Sequence, residues 1–350
     1  MVLGSTSAVP CPPSPRPPTH AFLFGAIFFG FWNGGGESRA GYFGILPIML
    51  NIPDIQTNVI LAPYTTYKIG GSADYFFVAK NKENLVNVVK EARKNNIKYF
   101  ILGTGANILV SDKGFRGLVI KNEADNITFD NHSVVAESGV TIHDLIKITS
   151  GKNLSGLEHY AGIPSTVGGT IWQNLHFLSP DRTKTVFIED IIENVEILDE
   201  ENNILNVNKD FFNFGYDYSI LHDRNLLVTE VTFRLTAKEK NLIQKQIEEN
   251  LKWRDEKQPQ LEQFPSCGSV FKKIEGMGAG RLIEKVGLKG YKIGGAEVSE
   301  KHANYIVNTG SATAKDVCDL IRLIQEKVFT ETGHKLQTEI GFVGEFRDSI

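Results

Sequence analysis

The sequence predicts an α+β fold, and three patterns lead to this prediction. A helix is followed directly by a buried strand in the segment 82–102, strands alternate with turn residues through the middle of the chain, and a long amphipathic helix lies near the end. With 350 residues, of which 41% are hydrophobic, the chain is long enough for two or three domains with separate cores. Its net charge of -4 argues against a nucleic-acid binder that depends on overall positive charge.

The first 48 residues differ in composition from the rest of the chain. They contain the proline-rich segment PCPPSPRPP and the apolar run AFLFGAIFFGFW, which is too short to span a bilayer. A signal peptide would have a basic segment before such a run and a small-residue cleavage site after it, and neither is clear. We expect a disordered extension or a start codon assigned too far upstream, with targeting or membrane attachment as the alternative.

The first glycine-rich segment follows the predicted helix and strand. The helix is indicated by apolar residues at helical spacing: Leu85, Val88, Val89 and Ala92. After the strand comes GTGANILVSDKGFRGLVI, in which Gly103 and Gly105 permit positive φ and close backbone approach before a second strand, Leu118 to Lys121. Such a loop can hold phosphate with its N–H groups, but its spacing differs from the G-x-G-x-x-G of a Rossmann domain.

A second glycine-rich segment, GLEHYAGIPSTVGGT, spans residues 156–170 and precedes the strand segments NVEILDE and LLVTEVTFRL. A helical pattern from about Leu242 ends near Pro259, which suggests a boundary into a third unit. The last helix has a capping box of Thr313 and Asp316 and a C-cap at Gly333. Its apolar stripe consists of Val317, Leu320, Ile321, Ile324 and Val328.

The segment FPSCGSVFKK places Cys267 and Ser269 close together, and this raises the question of a nucleophile. It lacks the G-x-S-x-G form of a nucleophile elbow. A cysteine nucleophile would need a histidine partner, for which His159, His176 and His302 are candidates, so on composition alone a structural turn is the default. The three cysteines, at 11, 267 and 318, are too scattered for a disulfide framework or a metal cluster, and they indicate a reducing cytoplasm.

Positive charge is concentrated around this segment, although the chain as a whole is acidic. Between residues 252 and 301, ten lysines and arginines face seven acidic residues. Most such side chains are simply solvated, yet a few beside a glycine-rich turn could bind a diphosphate or a carboxylate.

Several long blocks, in the same order, closely resemble the family of UDP-N-acetylenolpyruvoylglucosamine reductases, or UDP-N-acetylmuramate dehydrogenases, of bacterial peptidoglycan synthesis. The resemblance runs from about residue 61 to residue 345, and its blocks are TTYKIGGSADYF, LGTGANILVSDKGFRGLVI, GLEHYAGIPSTVGGTIWQN, PSCGSVFKK, AGRLIEKVGLKGYKIGGAEVSEKHANYIVN and LQTEIGFVGE. The last domain resembles the shorter of two family subtypes. The chain is therefore identified as a member of this family outside its first 48 residues.

The resemblance implies an FAD-binding fold of the vanillyl-alcohol-oxidase type, also called the PCMH type, made of two α/β subdomains and followed by a C-terminal α+β substrate-binding domain. The corresponding ranges are an extension at 1–48, FAD-binding subdomains at 49–122 and 123–240, and the substrate-binding domain at 241–350. The residues implied at the FAD are Gly103, Thr104, Gly105, Ala106, Asn107, Gly162, Ile163, Pro164, Ser165, Thr166, Gly168 and Gly169.

The resemblance also implies a reaction. NADPH reduces FAD, and the reduced flavin passes hydride to the terminal carbon of UDP-N-acetylglucosamine enolpyruvate. Ser269 matches the serine that protonates the neighbouring carbon, which makes it a general acid supported by Lys272, while Glu339 matches a glutamate at the reacting carboxylate. Tyr216, Arg254 and Lys272 are the implied substrate-binding residues. We expect a cytoplasmic monomer with no metal, no nucleic-acid partner and no membrane association.

Three positions depart from the family pattern at the substrate carboxylate. Asp217 stands where an arginine is usual, Lys273 replaces an asparagine, and Gly341 stands at a second common arginine position. A milder departure lies in the second glycine-rich segment, where the family's GIPGTVGGA appears with Ser165 and Thr170. An aspartate cannot form a cationic clamp, so Arg224 or a lysine from the last domain would have to supply the charge. Two alternatives remain: a relative that binds flavin or nucleotide sugar without full activity, and an FAD oxidoreductase of the same fold with another substrate.

Overall fold

The structure, a computed structural model, describes residues 52–274 and 277–346. The apolar run and the proline-rich segment of the N-terminal extension lie outside these described residues. Within the described ranges the chain forms six α-helices: α1 Lys82–Lys94, α2 Ile142–Gly151, α3 Val167–Gln173, α4 Lys240–Lys257, α5 Ala279–Lys285 and α6 Ala314–Thr332. None of them is long and apolar enough to cross a membrane.

The first half of the described chain contributes nine strands, four of which form the first sheet. In chain order they are β1 Gln56–Ile60, β2 Ser72–Ala79, β3 Tyr99–Leu102, β4 Ile108–Val110, β5 Phe115–Asn122, β6 Ile127–Asp130, β7 Ser133–Glu137, β8 Leu154–Ser155 and β9 His176–Leu178. One four-stranded sheet has the order β1-β2-β5-β3, in which β5 runs parallel to both β2 and β3. The predicted helix and both predicted strands of this region are confirmed as α1, β3 and β5.

The strands of the second half complete a second sheet and supply a small third one. They are β10 Thr185–Phe187, β11 Ile192–Leu198, β12 Ile204–Val207, β13 Leu227–Arg234, β14 Thr236–Ala237, β15 Lys292–Ile293, β16 Ala296–Val298, β17 Ile306–Asn308 and β18 Gly341–Val343. The second sheet is antiparallel, in the order β12-β11-β13-β7-β6, and β15, β16 and β17 form the third. The mixture of sheets and helices confirms the predicted α+β class.

The last helix forms as its sequence predicts. The Thr313 side chain accepts from the Asp316 amide in a complete capping box, and Gly333 ends the helix with a φ of 75°. The predicted apolar stripe is buried together with Cys318 in a core shared with α5 and the third sheet. These local signals suffice here because caps and helical periodicity depend on residues only three or four positions apart.

Residues 241–350, the predicted third domain, also contact residues of the first predicted subdomain, 49–122. Strand β18 pairs in parallel with β4, and the buried Tyr67, Ile69 and Leu109 belong to the same core as α6. Asp112 accepts hydrogen bonds from the backbone amides of Ala314 and Lys315, at 2.8 and 3.0 Å, at the start of α6. This packing holds residues of the last range beside the loop that follows β3.

Candidate active site

One cavity of about 1580 Å³ receives residues from all three predicted ranges. A site for a single drug-sized ligand usually measures about 300 to 1,000 Å³, so the volume is large enough for two sizeable ligands side by side. Both glycine-rich loops line it, as do Ser269, Lys272 and Glu339 from the last range. Six cations of the basic segment line it as well: Arg254, Lys272, Lys273, Arg281, Lys289 and Lys301.

The first loop, residues 103–107, presents amide groups that the protein does not use itself. Its carbonyls are occupied: the Thr66 amide donates to Gly105 O at 3.1 Å and the Gly341 amide to Asn107 O at 2.9 Å. In the described part of the chain, the amides of Thr104, Gly105 and Ala106 donate to no backbone carbonyl. Gly105 has a φ of +70°, and a Cβ there would lie 2.2 Å from Tyr64 O, so this turn requires glycine.

The second loop, residues 162–169, packs directly against the first. The Thr104 hydroxyl donates to Pro164 O at 2.9 Å, and a Cβ on Gly103 would lie 2.7 Å from the Thr166 hydroxyl. Thr166 also caps α3, where its hydroxyl accepts from the Gly169 amide. The absence of side chains at these glycines lets two turns of the chain meet at one wall of the cavity.

These two loops fit a flavin dinucleotide. The pyrophosphate of such a cofactor is a dianion that binds best to several backbone amides with no Cβ in the way. The amides of the first loop meet both conditions, and all the implied FAD residues line the cavity except Gly162. Gly162 lies just behind this wall, where a Cβ would be 2.9 Å from Arg254 Cδ.

Backbone pairing places the Ser269 segment beside Glu339. Phe271 forms an antiparallel bridge with Thr338, the Lys272 amide donates to Gln337 O at 2.9 Å, and the Glu339 amide donates to Val270 O at 2.8 Å. The Asn304 side chain holds the same segment from the other side, since it donates to Phe271 O at 2.8 Å and accepts from the Phe271 amide at 3.0 Å. The segment is therefore fixed on both edges.

Ser269 has a polar environment that the sequence did not reveal. Its side chain lies near the Tyr305 hydroxyl and opposes the rise that burial causes in the pKa of Tyr305. The positive charge of Arg254, which is half-buried, opposes that rise more strongly. Ser269 thus has a neutral phenol and a cation in its surroundings, and both can stabilise negative charge as the hydroxyl gives up its proton.

Glu339 has a strongly raised pKa. Burial and the nearby Asp217 carboxyl raise it to about 8, although Lys272 and Lys273 act in the opposite direction. At neutral pH this side chain therefore holds a proton. The sequence predicted its presence at the site but gave no indication of its protonation.

Tyr216 and Asp217 form the tip of a tight turn, closed by a hydrogen bond from the Gly215 amide to Tyr218 O at 3.1 Å. Asp217 has a φ of 53° and is 3% exposed. Its Oδ1 accepts from Gln173 Nε2 at 3.1 Å and lies 3.8 Å from His176 Nδ1. The Tyr216 ring lies 4.4 Å from the His176 ring, between centroids, and 6.0 Å from Lys273 Nζ.

Arg224 and a lysine of the last range were suggested to replace the positive charge missing at Asp217, and the two lie in different surroundings. Arg224 donates both guanidinium hydrogen bonds to Glu200, at 2.9 and 2.8 Å, and is exposed to solvent. The charge of Lys272 acts on both Glu339 and Asp217, since it lowers the pKa of each carboxyl group. The lysine of the last range is the better placed of the two.

The cysteine-nucleophile alternative finds no support at Cys267. Its thiol is buried, and burial raises its pKa far above the ordinary value, whereas a nucleophilic cysteine needs its pKa lowered. The nearest perturbing carboxyl, Glu339, raises the pKa further. Cys267 packs in the same core as Cys318.

The functional residues that sequence reasoning missed are Asn304, Tyr305, Gln173 and, as a neighbour of Asp217, His176. Asn304 and Tyr305 occur in the block HANYIVN, which carried the resemblance, so their presence in a matched block was the available signal. Gln173 and His176 lie around the end of α3, and no local pattern connects them with Asp217.

The fold and the site together define an FAD-binding oxidoreductase. Residues 73–208 match a family model described as an FAD binding domain, and residues 258–343 match one described as the C-terminal domain of UDP-N-acetylenolpyruvoylglucosamine reductase. These matches confirm the predicted cofactor FAD and the predicted FAD-binding fold of the vanillyl-alcohol-oxidase type.

Relatives that match the chain over nearly their whole length identify the family. The chain is 41% identical over 292 residues to the UDP-N-acetylenolpyruvoylglucosamine reductase of Caldanaerobacter subterraneus subsp. tengcongensis, covering 83% of this chain and 94% of the relative. It is 38% identical over 304 residues to that of Clostridium perfringens, covering 87% and 97%. The crystal structure of the Thermus caldophilus reductase superposes with a TM-score of 0.69 at 32% identity, covering 81% and 97%. The chain belongs to the UDP-N-acetylenolpyruvoylglucosamine reductase family, which confirms the resemblance.

Proposed function

We propose that the chain reduces UDP-N-acetylglucosamine enolpyruvate to UDP-N-acetylmuramate with NADPH, through bound FAD, as a step of peptidoglycan synthesis. The observation that carries this proposal is the meeting of Ser269, Lys272 and Glu339 at one wall of a cavity whose other wall is formed by the two glycine-rich loops. When bound, FAD supplies hydride transfer from the nicotinamide to the substrate.

Ser269 is the proton donor in this proposal. Hydride addition to the terminal carbon of the enolpyruvyl group leaves negative charge on the neighbouring carbon and its carboxylate, and that carbon must receive a proton. A serine hydroxyl is a poor acid, so it needs neighbours that stabilise the negative charge left on its oxygen, such as a hydrogen-bond donor backed by a cation. Tyr305, backed by Arg254, is such a donor, and the fixed backbone of the segment around Ser269 holds the hydroxyl in place.

The remaining site residues set the charge around the substrate carboxylate and hold the substrate and the cofactor in position. Glu339 is protonated at neutral pH and so adds no negative charge beside the substrate carboxylate, while Lys272 supplies a cation there. Arg254, with its guanidinium over the Phe177 ring at 5.5 Å, and Tyr216 complete the assigned substrate contacts. The amides of the first loop, residues 103–107, hold the cofactor pyrophosphate, and residues 162–169 line the flavin beside them.

We place this activity in a cytoplasmic monomer. Both cysteines of the described chain are free and buried, which suits a reducing compartment, and both substrates are soluble nucleotides. Size-exclusion chromatography with light scattering tests the monomer, and a dimer mass at micromolar concentration would reject it.

The activity is tested with purified FAD-loaded protein, NADPH and UDP-N-acetylglucosamine enolpyruvate in D₂O. We expect UDP-N-acetylmuramate by mass spectrometry, with deuterium on the carbon next to the carboxylate, because that hydrogen comes from an exchangeable hydroxyl. NADPH consumption that yields no reduced nucleotide sugar would contradict the proposal and favour an oxidoreductase with another substrate.

A further inference from the structure

The hairpin formed by β9 and β10 is attached to helix α4 through its tip. Its strands pair in antiparallel register, with Phe177 opposite Val186. At the tip, Arg182 has a φ of 61°, and its amide donates to Ser179 O at 2.8 Å. The Arg182 side chain reaches α4, where its Nη2 donates to Asn250 Oδ1 at 2.7 Å. The hairpin is therefore held at its tip as well as by its strand pairing.

Two residues of α4 hold the Arg182 guanidinium. Asn250 is 0% exposed and donates from Nδ2 to His159 O at 2.6 Å, so the acceptor is itself fixed. Three positions further along the helix, the Trp253 ring centroid lies 5.0 Å from the Arg182 guanidinium carbon. Arg182 Nη1 is buried with no hydrogen-bond partner in the described part of the chain. A planar guanidinium over a ring gains cation–π attraction, which a lysine in its place would not reproduce.

Phe177 connects Arg182 with Arg254. The Phe177 ring centroid lies 5.4 Å from the guanidinium carbon of Arg182 and 5.5 Å from that of Arg254. The same ring meets the Trp253 ring edge-on, with 5.6 Å between centroids. Phe177, Trp253 and Arg254 line the cavity, whereas Arg182 lies outside its lining. Arg182 can therefore affect a ligand in the cavity by fixing the residues in front of it.

Arg254 depends on packing for its position. Its guanidinium forms no hydrogen bond and no ion pair with the part of the protein that the structure describes. Its side chain passes close to the second glycine-rich loop, where a Cβ on Gly162 would lie 2.9 Å from Arg254 Cδ and 3.0 Å from its Nε. The Phe177 ring covers the guanidinium. Because an arginine side chain is long and flexible, the neighbours that restrict it decide whether its N–H groups are in place for an anion.

We propose that Arg182 is a positioning residue. It fixes the hairpin on α4, and the hairpin in turn places Phe177 so that the Arg254 guanidinium stays oriented in the cavity before a ligand binds. A preoriented cation binds an anionic ligand more tightly, because less side-chain freedom is lost on binding. The contact of Arg254 with the nucleotide sugar rests on the proposed function, whereas the control of Arg254 by Arg182 does not.

The position of Arg254 is tested by NMR of the FAD-loaded protein without substrate, from the Nε–H resonance that is lost in Arg254→Ala. A ring over a guanidinium shifts this resonance upfield, so Phe177→Leu defines the contribution of the ring. We expect Arg182→Ala, and the milder Arg182→Lys, to reduce the shift. Lys184→Ala removes an exposed cation of the same hairpin and should leave it unchanged. The wild-type resonance position in both Arg182 variants would overturn the proposal.

The effect on binding is tested with a double-mutant cycle, using calorimetric titration of UDP-N-acetylmuramate into the oxidised FAD-loaded protein. We expect Arg254→Ala to raise the Kd by about 10-fold to 100-fold and Arg182→Ala by about 3-fold to 10-fold. Added to Arg254→Ala, Arg182→Ala should change the Kd by less than about 2-fold, because no guanidinium is left to position. Additive effects would overturn the positioning role, since a general structural role gives them.

The two experiments separate this proposal from the proposed function. A wild-type protein that does not bind UDP-N-acetylmuramate would contradict the proposed function, and the resonance of Arg254 would still decide whether Arg182 positions it.

Discussion

The two walls of the cavity are built in different ways. The wall assigned to the flavin consists of backbone: the amides of residues 103–107 and the glycines that let the two loops meet. The wall assigned to the substrate consists of side chains from distant segments, with Ser269, Tyr305 and Arg254 connected in one group and Asp217, Gln173 and His176 in another.

This difference determines how readily each wall tolerates a substitution. A Cβ at Gly105 would lie 2.2 Å from Tyr64 O, and one at Gly103 would lie 2.7 Å from the Thr166 hydroxyl, so the first loop tolerates little change at these two positions. A side-chain wall can exchange one polar group for another if the neighbours adapt. The three departures at the substrate carboxylate, Asp217, Lys273 and Gly341, line the cavity on or beside the side-chain wall. Ser165 and Thr170 show that the second loop also departs from the family pattern.

The largest expected effect is on the half-reaction at the substrate wall alone. We expect Ser269→Ala to slow oxidation of the reduced flavin by the enolpyruvyl substrate by about 10²-fold to 10⁴-fold, because the general acid is lost. Reduction of the flavin by NADPH does not use this hydroxyl and should change by less than about 3-fold. Single-turnover absorbance of each half-reaction measures both effects, and an equal loss in both would show that Ser269 has a structural role instead.

The second effect concerns the backbone wall. In Gly105→Ala, a Cβ 2.2 Å from Tyr64 O and a φ of +70° force the loop to shift, and we expect FAD affinity to fall at least about 10-fold. Gly151→Ala is the matched control, because a Cβ there meets nothing within 4 Å. Fluorescence titration with FAD measures the affinities; equal affinities in both variants would mean that the first loop does not hold the cofactor.

The contrast between local backbone turns and side chains from distant segments also decides how much of the site could be predicted from sequence. The glycine loops, the α1 to β3 connection and the capping box of α6 are local, so each was recognisable from neighbouring residues. The resemblance added Ser269 and Glu339 by position. The contact of Asp217 with Gln173 and His176 depends on a tight turn meeting the end of α3, and the Ser269–Tyr305–Arg254 group joins three separate segments. No short-range pattern encodes such meetings.

A third effect is a pH-dependent change in stability on the substrate wall. The folded pKa of Glu339, about 8, lies above its unfolded value of about 4.3, so its contribution to the free energy of unfolding is complete below the unfolded value and is lost as pH rises towards 8. We expect the Tm of Glu339→Gln, relative to wild type, to rise by at least about 2 °C between pH 5 and pH 8.

Glu248→Gln, at an exposed position of α4, is the control for that measurement. Its Tm relative to wild type should stay constant across the same interval. A constant difference for Glu339→Gln as well would mean that the carboxyl group is ionised in the folded protein.

The smallest effect concerns the connection between the two walls. Asp112→Ala removes the acceptor for the amides of Ala314 and Lys315, and we expect a loss of about 1 kcal/mol in the free energy of unfolding. Flavin reduction by NADPH should be unaffected. Denaturant unfolding measures the loss, with the exposed Asp125→Ala as control, and an equal free energy of unfolding in both variants would contradict a capping role for Asp112.

We infer that the flavin-binding loops and the altered substrate wall work together in one active site. The most direct test is anaerobic stopped-flow absorbance of the wild-type, FAD-loaded protein, in which NADPH is added first and UDP-N-acetylglucosamine enolpyruvate second. We predict that NADPH bleaches the visible flavin band and that the enolpyruvyl substrate restores it rapidly, with formation of UDP-N-acetylmuramate. A flavin that NADPH reduces but that this substrate leaves reduced would contradict the claim.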